Sequence, residues 1–406
     1  FAYVERARAF ELLDLIRQHP SVPKQFKELT ANSQTADRGQ IQASLPSGTY
    51  LMVFSVFKDA TYTWILSRDR FEVTQQNTTR QDVERWTAEL HARAAKRDHE
   101  GFKRALHAPY EGLISLPLSV IKRESAGTGV RIVRIVIVPD GAMHGLPFSA
   151  LRGPGTPYLI QEAPLAIAGS ATLYLYSLAR DAALNVTHPT ALIVGNPAFN
   201  RALPHARGMQ RLPYAEQEAR EIQRTYGADA ELLVGAEATV PAFLALARTK
   251  TLIHVAAHAR PVPNAPSRSV ILFAPSAKHW GALEAQELLT KLKLDQTKLV
   301  VLAACSSAGG LPVGPEGVAP LVRPLIAAGV PAVVGTLWDV DDATAQELMV
   351  SFHRHYEAGR DVTVALQQAQ LDLLESKNIG HQSPLAWAPF QVIGHAGSPF
   401  GSTHQN

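Results

Sequence analysis

The chain has 406 residues, 46% hydrophobic and 18% charged, a composition that suits a folded globular protein with room for two or three domains and excludes a disordered one. Thirty-nine Lys and Arg stand against 36 Asp and Glu, a net charge of +3 with no dense basic run, so direct nucleic-acid binding and attraction to an acidic membrane surface are not expected. The longest uncharged apolar run, Pro324–Trp338, is shorter than a bilayer span and is interrupted by Gly329 and Pro331, so no membrane partner is expected either. No signal peptide is visible, and Phe1 at the first position points to a fragment or a processed product. A single cysteine rules out an intrachain disulfide and a Cys-based zinc site, and it suits a cytoplasmic protein.

In chain order, Val4–Arg17 carries Leu12, Leu13, Leu15 and Ile16 at helical spacing between charges and is predicted as an amphipathic helix. Residues 19–47 are polar with Pro and Ser and are expected to be linker or irregular. Leu51–Val56 and Tyr62–Leu66 read as a strand hairpin around Lys58-Asp59-Ala60. Helices are expected over Asp82–Arg97 and Tyr110–Lys122, then a buried strand Val133–Val138 ended by Pro139-Asp140-Gly141.

From Ala191 the chain alternates strand and helix. Strands are predicted at Ala191–Val194, Glu231–Val234, Thr251–Ala257, Leu299–Ala304 and Pro331–Thr336. Helices are predicted at Tyr214–Tyr226 (closed by Gly227), after a Thr239 cap with Pro241 in the first turn, near Leu283–Leu289 and Gly317–Ala328, and at Asp342–Glu357 and Val362–Leu374. Repeated strand–helix–strand units imply an α/β fold with a parallel sheet, helices on both faces and sites at the carboxyl ends of the strands. The expected divisions are 1–44, an N-terminal helix and linker, and two α/β units, 45–185 and 186–400.

Two apolar strands end in reactive residues. Thr251–Ala257 leads into His258, and Leu299–Ala304 into Cys305, with 47 residues between the two side chains. Parallel pairing of these strands puts both at one sheet edge, and a histidine about 50 residues before the cysteine is the caspase-type spacing. A thiol is mostly protonated at neutral pH; a neighbouring imidazole favours the thiolate and later protonates the leaving amine. The backbone N–H groups of Ala259 and Cys305 are the candidate oxyanion-hole donors. A small buried cysteine and a structural histidine fit the same strand ends, so residue types alone leave both readings open. His254 lies inside its strand and is expected to pack in the core or bond a neighbour. His353 and His355 sit on opposite sides of their helix, and no metal-ligand spacing is present, so no metal site is expected.

Further blocks now carry a resemblance: Ile137–Gly141 with His144 and Leu146-Pro147-Phe148; Leu212-Pro213 with Glu218-Ala219; Ile253–His258; Val300–Cys305; Gly314–Val318; Gly329–Gly335; Leu337–Asp342; and Ala386–Phe390. In this order they resemble the CHAT family of caspase-like domains that usually follow tetratricopeptide repeats, within the caspase–separase group, over about residues 45–395. The resemblance implies a caspase-hemoglobinase-like, parallel-rich sheet flanked by helices, with an inactive protease-like half (45–185) before the catalytic half (186–400). It implies a cysteine endopeptidase acting on protein substrates through His258 and Cys305, with no cofactor. It implies that Val4–Arg17 is the tail of a helical-repeat region through which an activator switches the enzyme. Family members act in bacterial immunity and programmed death, sometimes on pore-forming proteins, so a defence effector is one expected substrate. The chain has Ala259 where many members have Gly after the histidine, and Ser306-Ser307 where many have Glu-Thr. Asp339, beside Trp338 at the exit of the strand Pro331–Thr336, is expected to bind substrate as the floor of a pocket for a basic P1 residue, as in the corresponding separase segment. Asp341 and Asp342 read as helix-capping acids. The Pro- and Gly-rich segments 259–269 and 306–317 are expected to wall the site and to gate it.

Overall fold

The computed structural model describes residues 1–19, 22, 35–184, 186, 188–262, 264–304, 307 and 319–399. Its centre is an 11-stranded sheet in the order β3-β2-β1-β4-β5-β14-β13-β12-β8-β6-β7. The strands are β1 (Thr49–Val56), β2 (Thr61–Leu66), β3 (Phe71–Gln76), β4 (Arg134–Val138), β5 (Leu165–Ile167), β6 (Ala191–Pro197), β7 (Ala230–Gly235), β8 (Leu252–Ala256), β12 (Leu299–Leu302), β13 (Ala332–Thr336) and β14 (Phe390–Gly394). A small three-stranded sheet holds β9 (Ala259–Arg260), β10 (Val270–Leu272) and β11 (Ala282–Glu284).

Pairing is antiparallel at β3/β2, β2/β1 and β14/β13 and parallel elsewhere in the large sheet. The apolar runs of β1, β4, β8, β12 and β13 are buried along their whole length, because helices cover both faces of the sheet. The strands of residues 45–185 and those of residues 186–400 lie in one continuous sheet. β14 comes from the far carboxyl-terminal side of the chain, yet it lies between β5 (Ile393 beside Ile167) and β13.

The sequence reading missed several short elements. β3 extends the hairpin into a three-stranded antiparallel edge. The expected irregular segment contains, among its described residues, the helix Arg38–Ser44, started by a capping box between Asp37 and Gln40. β5, β14 and the helix Ala171–Ala183 also went unpredicted. The helix expected near Leu283 begins at Ala285, because Ala282–Glu284 is spent on β11. The helix expected over Gly317–Ala328 is shorter: among its described residues, 319–322 are turn or irregular and the helix itself is Arg323–Ala327.

The first helix, Ala2–Gln18, belongs to the body. Ala9, Leu12, Leu13 and Ile16 are fully or almost fully buried. Glu5, also wholly buried, accepts hydrogen bonds from Ala171 N, Thr172 N and Thr172 Oγ1 and so caps the helix Ala171–Ala183. Arg8 donates to Phe54 O at 2.6 Å and pairs with Asp140 at 3.0 Å. On its other side Glu11 pairs with Arg323, at the start of the helix Arg323–Ala327, at 3.2 Å.

Candidate active site

β8 delivers His258 to the carboxyl edge of the sheet. Beyond Ala256 the chain passes directly into the small sheet, where Leu272 N–H donates to His258 O at 2.8 Å. That bond makes 258/272 a hydrogen-bonded pair of the antiparallel ladder, so the next residue, Ala259, turns its N–H away from β10. The loop after β6 packs Phe199, Leu203, Ala206 and Met209 on this small sheet. Phe199 meets the His258 ring edge to face, centroids 5.1 Å apart. From the same loop Gln210 O lies 2.6 Å from His258 Nε2. A carbonyl only accepts, so Nε2 carries the proton, and the neutral imidazole keeps Nδ1 as its basic nitrogen.

β12 runs beside β8 in parallel register: Leu299 pairs with Leu252, Val301 with His254 and Leu302 with Val255, a constant offset of 47 residues. Cys305 lies outside the described residues, as do Ser306 and Gly314–Val318. Around it, Thr336 at the end of β13 donates through Oγ1 to Ala304 O at 2.7 Å, and Thr336 N donates to Ser307 Oγ at 3.0 Å. Ser307 Oγ in turn donates to Leu302 O at 2.9 Å. The carboxyl ends of β12 and β13 are thus tied together.

The segment leaving β13 divides its roles. Trp338 is 8% exposed, donates through Nε1 to Leu385 O at 3.3 Å, and sets its ring edge-on against His91 and Phe102. Its ring anchors the exit of β13 in the core, and Asp339 beside it is exposed. Asp341 caps the helix Asp342–Glu357, accepting from Thr344 N. Asp342, half-buried, accepts instead from Tyr214 N at 2.9 Å, on a different helix. Gln210 and Asp342 thus join the site. The sequence reading did not single out Gln210, because a main-chain carbonyl leaves no signature in residue type, and it gave Asp342 only its capping role.

His254 packs in the core, as expected. Its Nε2 donates to Glu218 Oε1 at 2.7 Å, and its Nδ1 accepts from His353 Nε2 at 3.0 Å. His353 Nδ1 accepts from Tyr226 Oη at 3.0 Å, so each bond has one proton and each group a partner. Burial raises the Glu218 carboxyl, opposed by His254, and holds the His353 imidazole well below its usual range. Among the described residues no group of His, Cys, Asp and Glu has metal-binding geometry, and no helix is long and apolar enough to cross a membrane.

The large, mostly parallel sheet flanked by helices is a caspase-like fold. The chain is similar to separase in the Saccharomyces cerevisiae separase–securin complex: one crystal structure gives a TM-score of 0.59 over 87% of this chain and 30% of that one, another 0.52 over 91% and 31%. Identity is 10% in both, so the likeness is one of fold. The chain belongs to the CHAT domain family, whose profile matches residues 103–395, well over half of its length. Among curated proteins it is similar to tetratricopeptide repeat protein 28 of Mus musculus, 26% identical over 337 residues, and to the Homo sapiens protein of that name, 26% over 332. These matches cover 74% and 72% of this chain but 14% and 13% of the relatives, so the chain spans about one seventh of their length.

Proposed function

We propose that this chain is a cysteine endopeptidase in which Cys305 is the nucleophile and His258 the general base. The observation that carries the reading is the ladder between β8 and β12: its offset of 47 residues equals the separation of His258 from Cys305. His258, with Nε2–H bound to Gln210 O, presents Nδ1 as base. Nδ1 takes the thiol proton, the thiolate sulfur bonds to the scissile carbonyl carbon, and the oxyanion is met by the N–H groups of Ala259 and Cys305. The C–N bond then breaks as the imidazolium protonates the leaving amine, and water, deprotonated by His258, releases the acyl group. The chemistry as written uses no metal or cofactor. Asp339, on the strand exit anchored by Trp338, would receive a basic P1 side chain.

Control by upstream helical repeats belongs to the same proposal. It is supported by the name of the curated relatives and by the packing of Ala2–Gln18 against Arg323–Ala327, the first described helix after Cys305 in the chain. The test of catalysis is labelling by a thiol-directed, peptide-based activity probe. Wild type should label, and both Cys305→Ala and His258→Ala should not. Equal labelling of wild type and His258→Ala would leave the chain as a non-catalytic scaffold with this fold.

A further inference from the structure

The helix Pro213–Tyr226 starts badly by itself. Its N-cap is Leu212, with no side-chain acceptor, and Pro213 follows at N1. The next backbone donor is satisfied from elsewhere: Tyr214 N donates to Asp342 Oδ2 at 2.9 Å, and the Ala215 N–H also favours the charged form of that carboxylate. Asp342 is not needed as the cap of its own helix, because Asp341 does that. One residue before the helix, Leu212 N donates to Asn196 Oδ1 at 3.1 Å. Asn196 is 5% exposed and has φ 45°, a left-handed conformation that a non-glycine residue keeps only when its surroundings hold it there. Its neighbour Gly195 permits the close approach, since a Cβ there would sit 2.6 Å from Ala215 O.

A strained amide and a borrowed carboxylate therefore grip the same short stretch, 212–215, from two sides. That stretch begins two residues after Gln210, whose carbonyl holds His258. Asp342 also faces His258 electrostatically. Burial raises its carboxyl, the N–H groups of Tyr214 and Ala215 lower it, neighbouring Asp341 raises it, and His258 lowers it.

We infer that Asn196 and Asp342 are positioning residues for His258: together they hold segment 210–215 so that the Gln210 carbonyl fixes the imidazole in the tautomer with the proton on Nε2. Its catalytic meaning rests on the peptidase reading; the geometry does not. Plain helix stability would be served by Ser or Asp at position 212, whereas acceptors from β6 and from the β13 exit tie the loop to the strands that frame the site.

The experiment observes the His258 ring by long-range 1H–15N NMR of histidine-labelled full chain, assigned with His258→Ala, in parallel with the rate of thiol-probe labelling. In wild type the neutral ring should carry its proton on Nε2. Asp342→Ala and Asn196→Ala should each convert it to a mixture of tautomers and slow labelling tenfold or more, since misplacing a reacting group by about 1 Å can cost 10²-fold. Asp342→Asn, which keeps an oxygen for Tyr214 N–H, should retain the tautomer and lose less rate. Amide spectra report folding, and if Asp342→Ala does not fold, Asn196→Ala reads the same loop from its other side. A tautomer unchanged in the folded alanine variants overturns the inference. A tautomer that shifts in a protein whose labelling never depended on His258 upholds the positioning and removes the peptidase reading.

Discussion

His254 and His353 meet ring to ring in the core, Nδ1 of the first 3.0 Å from Nε2 of the second, with neither exposed to solvent. They link β8, which leads to His258, to the helix that begins with Asp342, and Glu218 closes the chain on the helix Pro213–Tyr226. Removing one member strands a buried acid. His254→Leu should destabilise the protein by about 1–3 kcal/mol, the cost of leaving buried hydrogen-bonding groups without their partner. Urea unfolding at pH 7 measures it, and a loss below about 1 kcal/mol would show that Glu218 finds another partner or is neutral.

His395 gives the pH dependence. Burial and then the Arg134 guanidinium, which donates to Nδ1, push its imidazole down to about 4, against Asp181 and Asp361. A histidine lowered in the folded state binds its proton first in the unfolded chain, so its contribution to stability is complete above pH 6.5. It is lost as pH falls from there toward 4. At pH 5, some 1.5 units below the unfolded value, this amounts to about 2 kcal/mol. The difference in unfolding free energy between pH 7 and pH 5 should therefore be smaller in His395→Gln than in wild type by about that amount, and equal differences would refute it.

Glu5 supplies three acceptor contacts to the start of the helix Ala171–Ala183 from a wholly buried position. Glu5→Ala leaves those donors without a partner and should cost about 2–3 kcal/mol, more than an exposed cap would. Thermal unfolding checks it. A change under about 0.5 kcal/mol would mean that the Ser170 cap alone suffices for the helix Ala171–Ala183.

Asp339 sets the expected substrate preference. A peptide library should show Arg or Lys at P1, and Asp339→Ala should reduce kcat/KM on those peptides at least tenfold while sparing neutral P1 residues. Preference for Asp or Leu at P1, or unchanged discrimination in the variant, would remove Asp339 from this role.

How far residue types revealed the molecule depends on the range of the forces involved. The strands carrying His254 and Val301 were legible because burial on both faces demands unbroken apolar runs. Thr239 and Asp341 were legible as caps because capping is decided within four residues. β5 and β14 were not, since Leu165–Ile167 and Phe390–Gly394 are short and become strands only through partners far away in the chain. Asp342 was half read: its place at a helix start is local, but its bond to Tyr214 spans 128 residues. Gln210 acts through a carbonyl that every residue type possesses, and the strain at Asn196 is a property of backbone angle, not of side-chain pattern.

The position of β14 also decides the order in which the molecule is completed. During synthesis β1, β4 and β5 emerge first and β6, β8, β12 and β13 next, but the seam between them waits for Phe390–Gly394. Until that strand arrives, β5 and β13 each present an unpaired edge, the kind of surface on which nascent chains associate wrongly. Ribosome-bound chains stopped before Phe390 should therefore be protease-sensitive across both halves. Protection should appear in one step once β14 has left the exit tunnel, because only then can both edges close.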